Sequence, residues 1–349
     1  MSLNSTDIPT KPSPAAGETS APAGQRKASF MTIHNSRLLI LCLATIAVLF
    51  ALQFLLSDYL VLALTRILIL SIFAMGYNML MGYTGLLSLG HAMFFGFGLY
   101  AAGLSSYYFG TSLPVSFLIG VAASLVFSFV IGLLALRTEG VSFMIVTLMF
   151  AQAAYLSTLY FSKITGGDQG LTLPTTARSF SLLGIGFDMT SDTVRFNLSL
   201  VMFSAVLLFF FFVTQGPLGR LFSAVKENEP RTQMLGFDTY RVRLAAFTLS
   251  GTVSGLAGAL YGLMFGYIGS AFAGFHYSIE ALLFTLVGGP GTLLGPLLGT
   301  GVMTMLIDRL SGITTAYLII IGVILIMVNM WFPKGILGTI RERWIPWLK

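Results

Sequence analysis

Side chains of the types that perform catalysis or bind metals are sparse in this 349-residue sequence. A single cysteine, Cys42, excludes a disulfide within the chain and a thiolate metal cage. The three histidines, at 34, 91 and 276, lie too far apart to match the ligand spacing of a metal site. The phosphate-loop motif G-x-x-x-x-G-K-[ST] and the hydrolase motifs H-E-x-x-H and G-x-S-x-G do not occur. The sequence therefore predicts a chain that is not an enzyme and that carries no metal or cofactor.

One polar segment, 215–243, has the spacing of a short recognition helix. Pro230 near the first helical position and Gly236 just past the last one predict a helix of about two turns. Asn228 or Glu229 is a suitable N-cap, and the carboxylates of Glu227 and Glu229 favour the positive end of the helix dipole. A solvated connector remains the alternative. Contact with a partner protein is the sharper hypothesis, and its candidate contacts are the side chains of 227, 229 and 231.

Two further groups of residues are candidates for a substrate path or gate. Ser88 and His91 are three residues apart and can share a helix face, although a buried histidine with a structural hydrogen bond is the simpler interpretation. Gly166, Gly167 and Asp168 belong to a glycine-rich segment that permits turns with positive φ. That segment is equally suited to seating an external protein, gating a substrate or connecting two helices.

Arg66 lies inside an apolar run. We expect its side chain to reach the membrane surface or to meet Asp58, and we favour this structural role over a site for a substrate carboxylate.

Glycines recur at helical spacing in two places, and small residues at this spacing let helix backbones approach closely. Packing within the chain is the favoured interpretation, and a subunit seam or pathway wall is the alternative. The two stripes are Gly251, Gly255, Gly258 and Gly262, and then Gly288, Gly291, Gly295 and Gly299.

The elements that position these residues are predicted to be membrane-spanning helices. The sequence is 56% hydrophobic and 9% charged, whereas soluble domains carry about 25% charged residues. Apolar runs reach the length of about 20 residues that a bilayer requires. We predict an all-α polytopic membrane protein with about eight full spans near 38–57, 59–81, 85–107, 114–136, 140–161, 196–214, 244–267 and 313–331. The segments 279–288 and 292–308 are predicted to form a re-entrant helix pair, with one broken span as the alternative.

The distribution of basic residues predicts the orientation. Placing both termini in the cytoplasm puts 14 of the 19 Lys and Arg residues inside and four outside, as the positive-inside rule favours. Residues 1–36 are then a disordered basic tail, and 37–335 form the transmembrane permease domain. Within that domain, 162–195 is an outer loop and 215–243 a cytoplasmic loop. Residues 336–349 form a cytoplasmic C-terminal tail.

Several motifs in order along the chain resemble the M subunit of branched-chain amino acid ABC importers. They cover about 76–338 and comprise G-Y-T-G-L-L-S-L-G-H at 82–91, T-G-G-D-Q-G-L at 165–171, R-L-F-S-A-V-K-E-N-E-P-R-x-x-x-L-G at 220–236, A-A-F-x-x-S-G-x-x-x-G-x-A-G-A-L-Y at 245–261, G-G-P-G-T-L-L-G-P at 288–296 and F-P-K-G at 332–335. One departure is visible: Thr232 or Gln233 stands where the family usually has a small residue.

This resemblance implies a permease subunit in a bacterial inner membrane. Its partners would be a homologous second permease, two ATP-binding subunits and an external solute-binding protein, with no nucleic acid. ATP would be bound by the partner subunits, and 226–237 would be the coupling helix. The coupling residues implied are Glu227, Asn228, Glu229, Pro230, Arg231, Leu235 and Gly236. Close relatives carry urea, short amides or aromatic acids, so the substrate stays open.

A stand-alone channel is a second class of function, because it would also lack ATPase motifs. It has no need of a cytoplasmic helix. A membrane-embedded enzyme is a third class, but it should show catalytic side chains clustered at one interface, and the sequence shows none.

Overall fold

The chain folds into a bundle of helices, seen in a computed structural model that describes residues 23–174, 179–182, 185–314, 316–332 and 334–344. The helices are α1 (Ala23–Leu52), α2 (Asp58–Asn78), α3 (His91–Phe109), α4 (Leu113–Ala135), α5 (Gly140–Tyr160), α6 (Ser162–Thr165), α7 (Asp192–Gln215), α8 (Pro217–Glu227), α9 (Glu229–Met234), α10 (Thr239–Phe265), α11 (Phe275–Gly288), α12 (Gly295–Ser311), α13 (Tyr317–Trp331) and α14 (Gly335–Trp344). The prediction of an all-α polytopic membrane protein is confirmed.

Within the described part of the chain, five helical segments are long and apolar enough to cross a bilayer. They cover 58–84, 113–135, 140–160, 192–215 and 239–265, and shorter apolar helices occupy Ser36–Leu52, Phe275–Gly288 and Ile319–Val328. Many large apolar side chains of α4, α5 and α13 are exposed, as lipid-facing positions require. The predicted tail 1–36 overlaps α1, which begins at Ala23. A helix already formed by an apolar run extends at little cost, and this accounts for the earlier start.

Helix α10 is the central element, and it packs on α3, α4 and α2. Its glycines make the close approach possible, because a Cβ at Gly258 would overlap the backbone carbonyl of Phe95 on α3. At Gly255 a Cβ would overlap the Ser124 side chain on α4. Such contacts allow backbone-to-backbone packing where lipid supplies no hydrophobic driving force.

The predicted span 85–107 begins later than expected. Helix α2 continues into a π-helical turn, Met79–Thr84, and the chain is then irregular until α3 begins at His91. Gly85, with φ of +75°, ends the helix in the left-handed region that favours glycine. Non-helical backbone at membrane depth requires partners inside the protein.

Helices α11 and α12 form an antiparallel hairpin rather than one broken span. Gly299 lies against the carbonyl of Phe284, and Gly295 lies against Gly288, so α12 returns alongside α11. Both helices also pack on α2. The connecting residues 289–294 are not helical, and Gly289 and Gly291 have positive φ there.

The four strands lie at one end of the bundle. Strand β1 (Leu171–Thr172) pairs antiparallel with β4 (Tyr267–Ile268), and β2 (Ser179–Leu182) forms a hairpin with β3 (Ile185–Asp188). We call this the β4 end. The opposite end carries α8, α9 and the 289–294 turn, and we call it the α9 end; helix α10 runs from one end to the other.

Candidate functional site

Helix α9 has the local structure that the sequence predicts. It begins at Glu229, one residue before the predicted start, and the Asn228 side chain caps it by accepting a hydrogen bond from the Arg231 N–H at 2.9 Å. Gly236 follows with φ of +87°. The helix and its glycine stop are therefore a rigid, well-defined unit.

The Glu229 carboxylate points back into the protein and forms an ion pair with Arg243 of α10. Arg243 also pairs with Glu139, in the α4–α5 turn, at 3.4 Å, and only 15% of its side chain is exposed. Glu229 therefore has a partner inside the chain, and with 21% of its side chain exposed its predicted contact with a partner protein stays a prediction. Its visible role is to hold α9 against α10, because removing one member of a buried ion pair strands the other charge.

The outward side of α9 and of the residues just after it is apolar at its centre; the sequence analysis named Leu235 there but missed Met234 and Phe237. Met234 is 87% exposed and Leu235 is 70% exposed, and Phe237 is also exposed. Glu227 and Arg231 are exposed beside them. We call these five residues the α9 surface. Exposed apolar groups rimmed by charges mark an interaction site, and the signal was the apolar pair 234–235 in an otherwise polar loop.

A network at the α9 end ties α8 to the broken helices. The Asn78 amide donates to the carbonyl of Thr292 at 2.9 Å, and the Asn78 side-chain oxygen accepts from the Gly291 N–H at 2.8 Å. The Lys226 ammonium donates to the carbonyl of Gly82 at 2.6 Å. We call this network the Asn78 clamp. It borders a cavity of about 540 Å³ lined by residues of α1, α8 and the 290–294 turn.

Ser88 and His91 lie fully inside the protein. The His91 Nε2 is 2.7 Å from the Ser250 hydroxyl, which donates to the carbonyl of Gly76 at 2.5 Å. The carbonyl of Ser88 accepts from the Tyr77 hydroxyl at 3.0 Å. These bonds join α2, α3 and α10 around the irregular segment, and they give both residues structural partners.

Both glycine stripes face helices of this same chain. Gly251, Gly255, Gly258 and Gly262 lie against α3 and α4, while Gly288, Gly295 and Gly299 lie within the α11–α12 hairpin. Gly291 meets Gly82 in the Asn78 clamp. This geometry fits the packing interpretation, because the chain itself covers the glycines.

The segment 165–171 is a turn pinned to the α10–α11 connection. Gly166 and Gly167 have φ of +78° and +59°. The Tyr267 hydroxyl donates to the carbonyl of Gln169 at 3.3 Å, and Asp168 is exposed. The turn is therefore anchored at its base and presents Asp168 outward.

Arg66 does not meet Asp58, contrary to expectation. Its Nη1 lies 3.4 Å from the Asp308 carboxylate at the far end of α12. The hairpin brings α12 beside α2, a contact across 242 residues of sequence that local patterns do not reveal. Tyr261, Tyr277 and Glu280 interact electrostatically with the same guanidinium.

Known proteins similar to this chain are transport permeases. The family model "Branched-chain amino acid transport system / permease component" matches residues 59–329. The high-affinity branched-chain amino acid permease LivM of Escherichia coli is 30% identical over 80% of this chain and 70% of its own length. LivM of Salmonella typhimurium is 29% identical over 88% and 76%, and the LivH permease of the same organism is 25% identical over 77% and 91%.

No solved structure is a significant match to this chain. The family match spans most of the helices described above, including α2, α10 and the α11–α12 hairpin, and the resemblance inferred from the sequence motifs is confirmed. The chain belongs to the family of branched-chain amino acid transport permeases.

Proposed function

We propose that this chain is the membrane-spanning subunit of an ATP-driven importer in a bacterial cytoplasmic membrane. It would work with a homologous second permease, two ATP-binding subunits and an external solute-binding protein. The relatives named LivM and LivH belong to branched-chain amino acid transport systems, and this supports branched-chain amino acids as the substrate class. Urea, short amides and aromatic acids are the alternative substrates.

The α9 surface is the observation that carries the proposal. A stand-alone channel has no need of a capped helix that presents Met234, Leu235 and Phe237 to solvent. An ATPase that closes on nucleotide must push on something rigid, and α9 is held to α10 by the Glu229–Arg243 ion pair. Helix α8, next to it, is held by Lys226 to the π-helical turn that follows α2. Movement of α9 therefore reaches the transmembrane helices through direct contacts.

The orientation follows from charge. The α9 end carries the basic residues of 215–243 and of α14, and these are typical of the cytoplasmic side. The β4 end then faces outward, and its pinned turn at 165–171 is the part that we assign to contact with the binding protein. In this arrangement the α11–α12 hairpin enters from the outside and returns.

Gly236 offers a sharp test of coupling. A Cβ built on Gly236 meets no atom within 4 Å, so a substitution there is limited by the backbone alone. Its φ of +87° is strained for a β-branched residue, whereas asparagine tolerates the left-handed region. We expect Gly236→Val to redirect the chain after Leu235 and to abolish uptake, and Gly236→Asn to keep most of it.

The measurement is substrate uptake and substrate-stimulated ATPase activity of the complete complex in proteoliposomes. Because α9 lies outside the membrane-spanning helices, both variants should assemble in normal amounts, as gel filtration and immunoblotting would show. Full uptake by the Gly236→Val variant would mean that this loop only connects two helices, and it would favour the hypothesis of a stand-alone channel.

A further inference from the structure

At the β4 end, a group of polar side chains lies between α2, α10, α11 and α12 with its hydrogen bonding incomplete. It consists of Arg66, Tyr261, Tyr277, Glu280 and Asp308, and we call it the Arg66 cluster. The Arg66 Nη1 meets Asp308, but the Nε is buried without a partner among the described residues. The Tyr277 hydroxyl is likewise buried without one. Orphaned buried donors are costly, so a group that completes them would bind favourably.

Glu280 adds a second carboxylate to the cluster, besides that of Asp308. It follows Tyr277 by one turn of α11 and interacts electrostatically with Arg66, yet it makes no ion pair or hydrogen bond within the described part of the chain. The cluster thus offers guanidinium and phenol donors next to a carboxylate that lacks a cation of its own. A ligand that satisfies both must carry an anionic and a cationic group close together.

The chain does not fully cover the Arg66 cluster. The side chains of Arg66 and Asp308 are 40% and 33% exposed. Arg66 lies eight residues into α2, about 12 Å along the helix axis from its start. Charged groups at this depth face a protein partner or a wet cavity rather than lipid. The open side is therefore suited to a water-filled path beside the second permease.

Polar groups continue inward from the cluster on α12. Thr304 and Thr300 precede Asp308 by four and eight residues, so the three share one helix face. The hydroxyls of Thr300 and Thr304 are buried and unpartnered among the described residues, although helical threonines commonly bond the backbone one turn back. Aromatic rings pack around Tyr277 of the cluster. Its ring stacks on Phe73 with centroids 5.7 Å apart and meets Phe272 edge-on at 5.3 Å.

We infer that the Arg66 cluster binds the zwitterionic head of an α-amino acid during import, an inference that rests on the proposed function. Arg66 and the Tyr277 hydroxyl hold the substrate carboxylate, and Glu280 holds its ammonium group. The neighbouring aromatic rings accept an apolar side chain. Urea and short amides carry neither charge, so this site selects against them within the membrane, after the binding protein has made its own selection.

The test uses the complete complex in proteoliposomes, with the external binding protein loaded with L-leucine. Three variants probe the site: Arg66→Gln, Glu280→Gln and Tyr277→Phe. Losing a hydrogen bond to a charged ligand group should lower L-leucine uptake about tenfold for the first two and several-fold for the third. ATPase stimulation by the loaded binding protein should stay within about twofold of wild type, because the α9 surface is unchanged.

The control is Arg195→Gln. Arg195 also lies near the β4 end, pairs with Asp192 at 3.0 Å and has a buried, unpartnered Nε. It belongs to α7, outside the cluster. Its replacement should leave L-leucine uptake at the wild-type level once the amount of complex is matched.

Tyr277→Phe separates a ligand role from a structural one. The variant removes a buried hydroxyl that has no partner among the residues described here, so the melting temperature of the complex should stay equal or rise while uptake falls. Normal uptake by Tyr277→Phe or Glu280→Gln overturns the inference, as does a parallel loss of uptake and thermal stability in Tyr277→Phe. Uptake by the wild-type complex that does not require ATP would overturn the proposed function, and this inference with it.

Discussion

The two ends of the layer formed by α2, α11 and α12 differ in how completely their buried polar side chains are hydrogen-bonded. At the α9 end, both polar atoms of the Asn78 side chain are bonded, and Lys226 donates to the carbonyl of Gly82. At the β4 end, Arg66 Nε and the hydroxyls of Tyr277 and Thr304 are buried with no partner among the described residues. Among the described residues, the Asn78 and Lys226 side chains are thus bonded at the α9 end, whereas donors of Arg66, Tyr277 and Thr304 are left unbonded at the β4 end.

The difference follows from where the backbone is broken. The π-helical turn 79–84 and the 289–294 connection leave backbone groups that helices cannot satisfy, and Asn78 and Lys226 are placed to satisfy them. At the β4 end the cluster residues lie on regular helices, whose backbone bonds are already made. The side chains there can therefore bond only to one another, to water, to a ligand or to another subunit. The polar side chains at the α9 end therefore bond to broken backbone, whereas those at the β4 end keep donors that no described residue accepts.

The largest expected effect comes from filling a close backbone contact at the α9 end. A Cβ at Gly82 would overlap the Asn78 side-chain oxygen and the Gly291 backbone nitrogen. We expect Gly82→Ala to separate α2 from the hairpin turn, at a cost of about 3 kcal/mol or more, because backbone cannot yield as a flexible side chain does. Thermal unfolding and yield of the purified complex would measure it.

Gly301→Ala is the matched control on α12. A Cβ there meets only the Ile67 side chain, at 3.9 Å, which is an ordinary contact. It should be neutral or stabilising, because alanine favours a helix over glycine by about 1 kcal/mol. Equal melting temperatures for the two variants would show that the α9 end is not tightly closed.

A smaller loss is expected from Asn78→Ala. It removes two hydrogen bonds and leaves the Gly291 N–H and the Thr292 carbonyl without their partner, which should cost about 2–4 kcal/mol. Asn197→Ala is the comparison, because its amide bonds only the carbonyl of Thr193 on the same helix. If the two variants unfold at the same temperature, water has replaced the clamp and the α9 end is as open as the β4 end.

The sequence predicted the features that local chemistry determines. The fold class follows from composition, and the position of α9 follows from Asn228, Pro230 and Gly236, all within nine residues. The stop at Gly236 needed only the preference of glycine for positive φ. Such signals act over one or two turns, so a single sequence is enough to read them.

Contacts between segments that are distant along the chain could not be predicted from the sequence. Arg66 was recognised as unusual, but its pairing with Asp308 depends on the hairpin returning beside α2. The Glu229–Arg243 ion pair depends on how α9 folds back on α10, and it gives a predicted contact residue a partner within the chain. The Arg66 cluster draws on four helices, and helical periodicity specifies a face without specifying its neighbour.

The smallest expected effects have opposite signs at two buried threonines of the α11–α12 hairpin. The Thr285 hydroxyl, towards the α9 end of α11, donates to the carbonyl of Ala281 at 2.9 Å and lies 3.3 Å from that of Ala74. Thr304, towards the β4 end of α12, has no partner among the described residues. Replacing each by valine exchanges the hydroxyl for a methyl group of similar size. Thr285→Val should cost about 1 kcal/mol, whereas Thr304→Val should gain about 1 kcal/mol, because a buried hydroxyl without a partner is itself a cost. The readout is the melting temperature of the purified complex, measured without substrate. A loss of stability in Thr304→Val would mean that its hydroxyl is already bonded, by water or by the second permease, and the β4 end would then be as complete as the α9 end.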